Sequence, residues 1–129
     1  MPRRHEDWLA QARRDLKAAR DSFAAGNYEW TAFQTQQSAE KALKALLEYH
    51  HLAMAGHALV YLLRQVEQFV PVPADLYPLA RELDRHYTQP RYPNGFAAGY
   101  PAEYYDEIIA RRCVEYAEQF IRFVENNLS

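Results

Sequence analysis

NYEWTAFQTQQSAEKALKALLEYHH, residues 27 to 51, contains neither Gly nor Pro and consists mostly of residues that cost little in a helix. It reads as one long helix. On a 3.6-residue period Tyr28, Ala32, Ala39, Ala42, Leu43, Leu46 and Leu47 form one apolar stripe, with Gln37, Lys41, Lys44 and Glu48 opposite. Small residues in the first half of the stripe and large ones in the second predict close helix approach at one end and bulky packing at the other. Leu43 and Leu46 are therefore expected in the core. Gln36 falls on the apolar side, where its amide needs partners and is expected to find them inside the protein. Trp30 falls on the polar side, in line with Gln34, Gln37 and Lys41, so a large ring is left for something to cover.

Working outward, Trp8, Ala12, Leu16, Ala19 and Phe23 recur at intervals of three and four and mark an amphipathic first helix. Gly26 is placed to end it in a left-handed conformation, and Asn27 to start the next. So short a link forces the two helices into an antiparallel hairpin. After a break at Gly56, the apolar positions Leu59, Leu62, Leu63, Val66, Phe69 and Val70 predict a third helix, stopped by VPVPAD. Leu76, Leu79, Ala80 and Leu83 predict a fourth, running to about Tyr87, with Pro78 in its first turn. The irregular stretch TQPRYPNGFAAGYP follows. Pro101 then opens a last helix through Leu128, whose core face is read as Tyr105, Ile108, Ile109, Tyr116, Phe120, Phe123 and Val124. No period-two alternation persists anywhere. The fold is read as all-α, an up-and-down bundle of four to five helices forming one domain over residues 1–129.

The composition narrows function. A net charge of −2 does not describe a chain that is basic overall, one Cys cannot form an internal bridge, and no stretch has the length of a membrane span, so a cytoplasmic protein without a membrane partner is expected. Five His are present, but no His-x-x-x-His, twinned Glu-x-x-His or Cys pair supports a metal site. The four Gly form no phosphate-loop spacing, and no motif implies a cofactor. Cys113 lies inside the last helix and reads as a small hydrophobe. Two constellations remain. His57, at the start of the third helix, is suited to cap it, to bond across the bundle or to act in catalysis. Tyr87, Arg91, Tyr92 and Pro93 put a guanidinium among aromatic rings on a long loop. There it would stack, clamp a carboxylate or phosphate, or tie its own loop to Glu40 or Asp84.

Trp8, Ala12, Asp15, Leu16, Gly26, Tyr28, the block QQSAEKALKALL from Gln36, then His57, Leu62, Leu63, Leu83, Tyr87 and RYP at Arg91 to Pro93 together resemble a HEPN domain over nearly the whole chain. The resemblance implies a helical bundle that commonly forms a homodimer. It also implies a prokaryotic setting, with a minimal nucleotidyltransferase as partner in a toxin–antitoxin-like pair. The role it suggests is that of a nucleotide-binding or interaction module, with Gln36, Glu40, His57, Tyr87, Arg91 and Tyr92 as ligand or loop-clamp residues. Many members are metal-independent RNases with an Arg-x(4–6)-His motif, and Arg81-Glu-Leu-Asp-Arg-His86 fits that string. In that alternative Arg81 stabilises the phosphate and His86 serves as general acid or base on RNA. Residues five apart on a helix point about 140° from each other, so such a site must be composed across a dimer. The dimer is expected to bury Trp30 or the neighbouring loop aromatics.

Overall fold

The computed structural model describes residues 3–128. Its elements in order are α1 (Arg4–Ala24), α2 (Tyr28–Tyr49), α3 (Leu59–Val66), α4 (Leu76–Asp84), a 3-10 turn (Pro93–Gly95), α5 (Pro101–Tyr104) and α6 (Glu107–Asn126). No strand occurs among the described residues, so the chain is all-α. Gly26 takes φ +79° and turns α1 back on α2, as its position predicts. Asn27 holds the cap position of α2 without a side-chain bond; its carbonyl instead accepts from the amide and hydroxyl of Thr31.

The α1–α2 hairpin closes along small residues. Ala12, Ala19, Ala32, Ala39 and Ala42 are all fully buried. The backbones approach closely enough for the Ser38 hydroxyl to donate to the Ala12 carbonyl at 2.7 Å. Leu43, Leu46 and Leu47 at the other end meet Leu59, Leu62, Leu63, Leu83 and Phe120, all with no exposed surface. α6 covers the flank of the hairpin, and α3 and α4 lie against α2 and each other. Of the 22 residues of α2, 13 are buried, so the helix is enclosed rather than half-exposed. That overturns one expectation. Lys44, read onto the polar side, is only 7% exposed, because Trp8 of α1 lies under its ammonium group.

The last helix also departs from its reading. Tyr105 and Asp106 are extended, and the Asp106 carboxylate accepts from the Ile109 amide at 2.8 Å, so a new helix starts there. Pro101 opens only the four-residue α5. In α6 Phe120 and Val124 face the core as expected, joined by Ala110, Cys113, Ala117 and Ile121, whereas Ile108 is 73% exposed. α4 likewise stops at Asp84, short of Tyr87.

Candidate functional site

Residues four apart on α2 stack along one face, which lines up Gln36, Glu40 and Lys44. Glu40, 3% exposed, is the hub. Its carboxylate takes the Lys44 ammonium at 2.9 Å, the Gln36 amide at 3.2 Å and the His57 Nδ1 at 3.0 Å. Gln36 is fully buried and satisfied, also donating to the His57 carbonyl at 3.0 Å and accepting from Gln37 at 2.8 Å. With Gln37 also donating at 3.5 Å, a buried carboxylate with one ammonium and three further donors is compensated, which is the condition for keeping a charge inside. Because a carboxylate only accepts, the His57 Nδ1 is the donor of this bond and carries a proton. Its side chain is 51% exposed. Of the roles open to His57, the bond across the bundle is the one it makes. The α3 cap falls to Asp84, whose carboxylate accepts from the Leu59 amide at 2.6 Å and the Val60 amide at 3.3 Å. Burial pushes the Asp84 carboxyl above its ordinary range, and the nearby Glu40 charge adds to this, against the lowering effect of its two backbone bonds.

The His57 ring stacks on Tyr87, centroids 4.2 Å apart and 19° from parallel, and these two with Ala58 and Asp84 line a shallow cavity of about 270 Å³. Beyond Tyr87 lies Arg91. Its Nε donates to the Tyr87 carbonyl at 2.8 Å, and its guanidinium carbon sits 4.3 Å from the Phe33 ring centroid, 4.8 Å from Tyr87 and 5.3 Å from Tyr92. Among the described residues no carboxylate lies within ion-pair distance of it. The expected tie from Arg91 to Glu40 or Asp84 is therefore not formed, although its guanidinium does lie against α2, over Phe33 one turn before Gln36. Glu40 is occupied by Lys44 and His57, Asp84 by α3, and the guanidinium turns to aromatic faces instead. Gln36, Glu40, His57, Tyr87, Arg91 and Tyr92 nevertheless form one continuous chain of contacts, which Phe33 completes. Sequence reasoning misses Phe33 because it belongs to no stripe; its i−3 spacing from Gln36 is the available signal.

Arg81 and His86 are not brought together. Arg81 is exposed on α4, whereas His86 is 5% exposed with both ring nitrogens engaged, Nδ1 with the Tyr105 hydroxyl at 2.7 Å and Nε2 with Glu82 at 2.9 Å. Burial lowers the His86 pKa, against the pull of Glu82. Burial alone would raise Glu82, but hydrogen bonds from Arg85 and His86 outweigh it and hold the carboxyl low; Arg112 approaches the same group at 3.3 Å. This network ties α4 to α6 across the turn. Glu82 is the residue the sequence reading passes over, although its i,i+4 relation to His86 is visible there. Burial and the Glu82 charge push the Cys113 thiol up to about 12, so no nucleophile is poised there. Among the described residues no group of three or more His, Cys, Asp or Glu could hold a metal ion, and no helix is long and apolar enough to cross a membrane.

These features define an all-α bundle built around an enclosed central helix, its polar side chains gathered where that helix meets the segments before α3 and after α4. The chain belongs to the HEPN domain family, which it matches over residues 5–127. Its fold is similar to the crystal structure of a Thermus thermophilus protein at 38% identity and TM-score 0.96, covering 98% of this chain and all of that one. It also resembles an archaeal HEPN homologue at 38% identity and TM-score 0.83 with full coverage of both chains. A Thermotoga maritima HEPN domain protein is 31% identical with TM-score 0.76, over 93% of this chain and 95% of that one. A Methanocaldococcus jannaschii protein described as a candidate toxin is 24% identical, covering 94% of this chain and 86% of its own length.

Proposed function

We propose that this HEPN protein is a nucleotide-binding and interaction module with a toxin–antitoxin-like role, working with a nucleotidyltransferase partner. The observation that carries nucleotide binding is Arg91, a guanidinium with no carboxylate partner among the described residues, set among Phe33, Tyr87 and Tyr92 next to the half-exposed His57. Nε is spent on the Tyr87 carbonyl, which fixes the fork and leaves the two terminal nitrogens to a phosphate. The 49%-exposed ring of Tyr92 offers a face to a base. The toxin-like role is supported by family membership and by the candidate toxin among the relatives. A second copy and the nucleotidyltransferase are the protein partners of this reading; Tyr100, Tyr104 and Ile108, at 57%, 47% and 73% exposure, offer apolar surface to them.

The alternative, a metal-independent RNase through Arg81 and His86, has the sequence string for it and the engaged nitrogens of His86 against it. Calorimetric titration with ribonucleoside mono- and triphosphates tests the first reading. Binding is expected for the native protein and a loss of tenfold or more for Arg91→Ala. Equal binding by both proteins, or none by either, refutes it. Co-purification with a nucleotidyltransferase encoded beside it tests the partner.

A further inference from the structure

The C-terminal end of α2 carries a second group of polar side chains. His50 follows Glu40 by ten residues, about 15 Å along a helix axis. There Arg3, Arg4, His5, Glu48, His50 and His51 line a cavity of about 910 Å³, against about 270 Å³ beside His57. Two features of its wall are unfavourable to folding. α2 ends with the Leu52 amide donating to the Leu47 carbonyl and the His51 amide to the Glu48 carbonyl, both at 2.9 Å. Such an ending needs a left-handed backbone at the His51 position, which Gly holds without strain. His51 holds it at φ +65°, the one residue other than Gly with positive φ among the described residues. The second feature is His50. Its ring stacks on Phe69, centroids 4.6 Å apart and 5° from parallel, and its Nε2 is closed off from solvent with no hydrogen-bond partner among the described residues. A strained backbone and an orphaned nitrogen, side by side in the wall of one cavity, are what a functional site retains against stability.

We infer that this cavity binds a small organic phosphate monoester, at a place separate from Arg91. The wall selects an anion, because its two guanidiniums are charged at any working pH and Glu48 is its single carboxylate. Arg3 pairs with Glu6 at 3.3 Å and Arg4 with Asp7 at 2.8 Å, but all four side chains are 59–68% exposed, where such pairs hold little. Each pair engages one terminal nitrogen, so most of the donors of each guanidinium remain for a ligand. A phosphate brings three acceptor oxygens to those donors and to the imidazole N–H groups of His5, His50 and His51. Occupancy also gives the His50 ring the partner it lacks. The volume selects more than the bare ion, since it lies in the range of pockets that enclose small organic molecules. The Tyr49 ring, which meets His5 at 5.1 Å and His50 at 5.2 Å edge to face, offers an apolar wall to the organic part.

The test titrates the full-length protein calorimetrically with ribose 5-phosphate, ribose, inorganic phosphate and citrate. Ribose 5-phosphate should bind the native protein and Arg91→Ala alike, inorganic phosphate about tenfold more weakly, and ribose not at all. Arg4→Ala should weaken ribose 5-phosphate about tenfold. His51→Gly, which removes the imidazole and the strain together, should raise the thermal unfolding midpoint while weakening binding roughly three- to tenfold. His50→Phe, which keeps a ring on Phe69 and removes the orphaned nitrogen, should do the same. A misfolded variant would lose midpoint and binding together, so a gain in one with a loss in the other separates a ligand role from a structural one. If ribose 5-phosphate fails to bind, or binds Arg4→Ala and His51→Gly as it binds the native protein, the cavity is refuted and the Arg91 reading stands. If Arg91→Ala abolishes binding, the ligand belongs to the loop and the cavity falls. Citrate binding as tightly as ribose 5-phosphate, or inorganic phosphate doing so, overturns the phosphate monoester as the ligand class.

Discussion

Replacing Glu40 tests the central helix and the site together, because one buried carboxylate holds Gln36, Lys44 and His57. In Glu40→Ala the Lys44 ammonium, 9% exposed at its side chain, loses its counter-charge, and the fully buried Gln36 loses an acceptor. Stranding one partner of a buried pair costs about 3–5 kcal/mol, or about 12–20 °C of unfolding midpoint at roughly 4 °C per kcal/mol for a chain of this size. Lys44→Met should cost less, about 1–3 kcal/mol, because Glu40 keeps Gln36 and His57 as donors and Met retains the stem under Trp8. The double variant Glu40→Ala/Lys44→Met removes both charges and should be more stable than Glu40→Ala alone. Urea and thermal unfolding followed by circular dichroism measure all three. A loss below about 1 kcal/mol for Glu40→Ala would mean that Lys44 reaches water unaided. Additive losses in the double variant would mean that the pair is not coupled, and either result refutes the account of the hub.

Leu43→Ala, at a site with no exposed surface, is expected to cost about 2–5 kcal/mol in urea unfolding. Asp106→Ala should cost about 1 kcal/mol and loosen the start of α6, read as faster amide exchange near Ile109. His86 carries a pH signature. Its folded pKa lies below the ordinary value of 6.5, so in the window beneath 6.5 the unfolded chain binds the proton and the folded one does not; stability then falls as pH falls. Unfolding free energy should decline from about pH 7 toward pH 5.5, and His86→Gln should flatten that slope. RNA incubated without divalent metal should be treated alike by the native protein and Arg81→Ala/His86→Ala; cleavage by the native protein alone would restore the RNase reading.

What the sequence determined by itself is what period and turn chemistry carry. The stripe from Tyr28 to Leu47, the recurrence of Trp8, Ala12, Leu16 and Ala19, and Gly26 between them define an antiparallel hairpin, since each signal is local and repeats over many residues. The block from Gln36 with Gly56-His57 and Arg91-Tyr92-Pro93 also marks the family and most of the side chains that meet at the site. Tertiary structure decided the pairing. Nothing near Lys44 in sequence announces that Trp8 will cover it, and nothing near Leu59 announces that Asp84, 25 residues on, will cap its helix. Arg91 has two carboxylates to choose from in sequence, but Glu40 is already held by His57 and Lys44 and Asp84 by backbone amides, so it turns to rings. His86 looks as available as any histidine until Tyr105 and Glu82 close on its two nitrogens. Ile108 lies about 120° around the α6 axis from Phe120, and only the packed bundle shows that this side faces water while Phe120 and Val124 face inward as expected. The period of a helix settles which of its faces is apolar. Which polar group satisfies which depends on distances across the packed bundle, and those exist only once the helices have met.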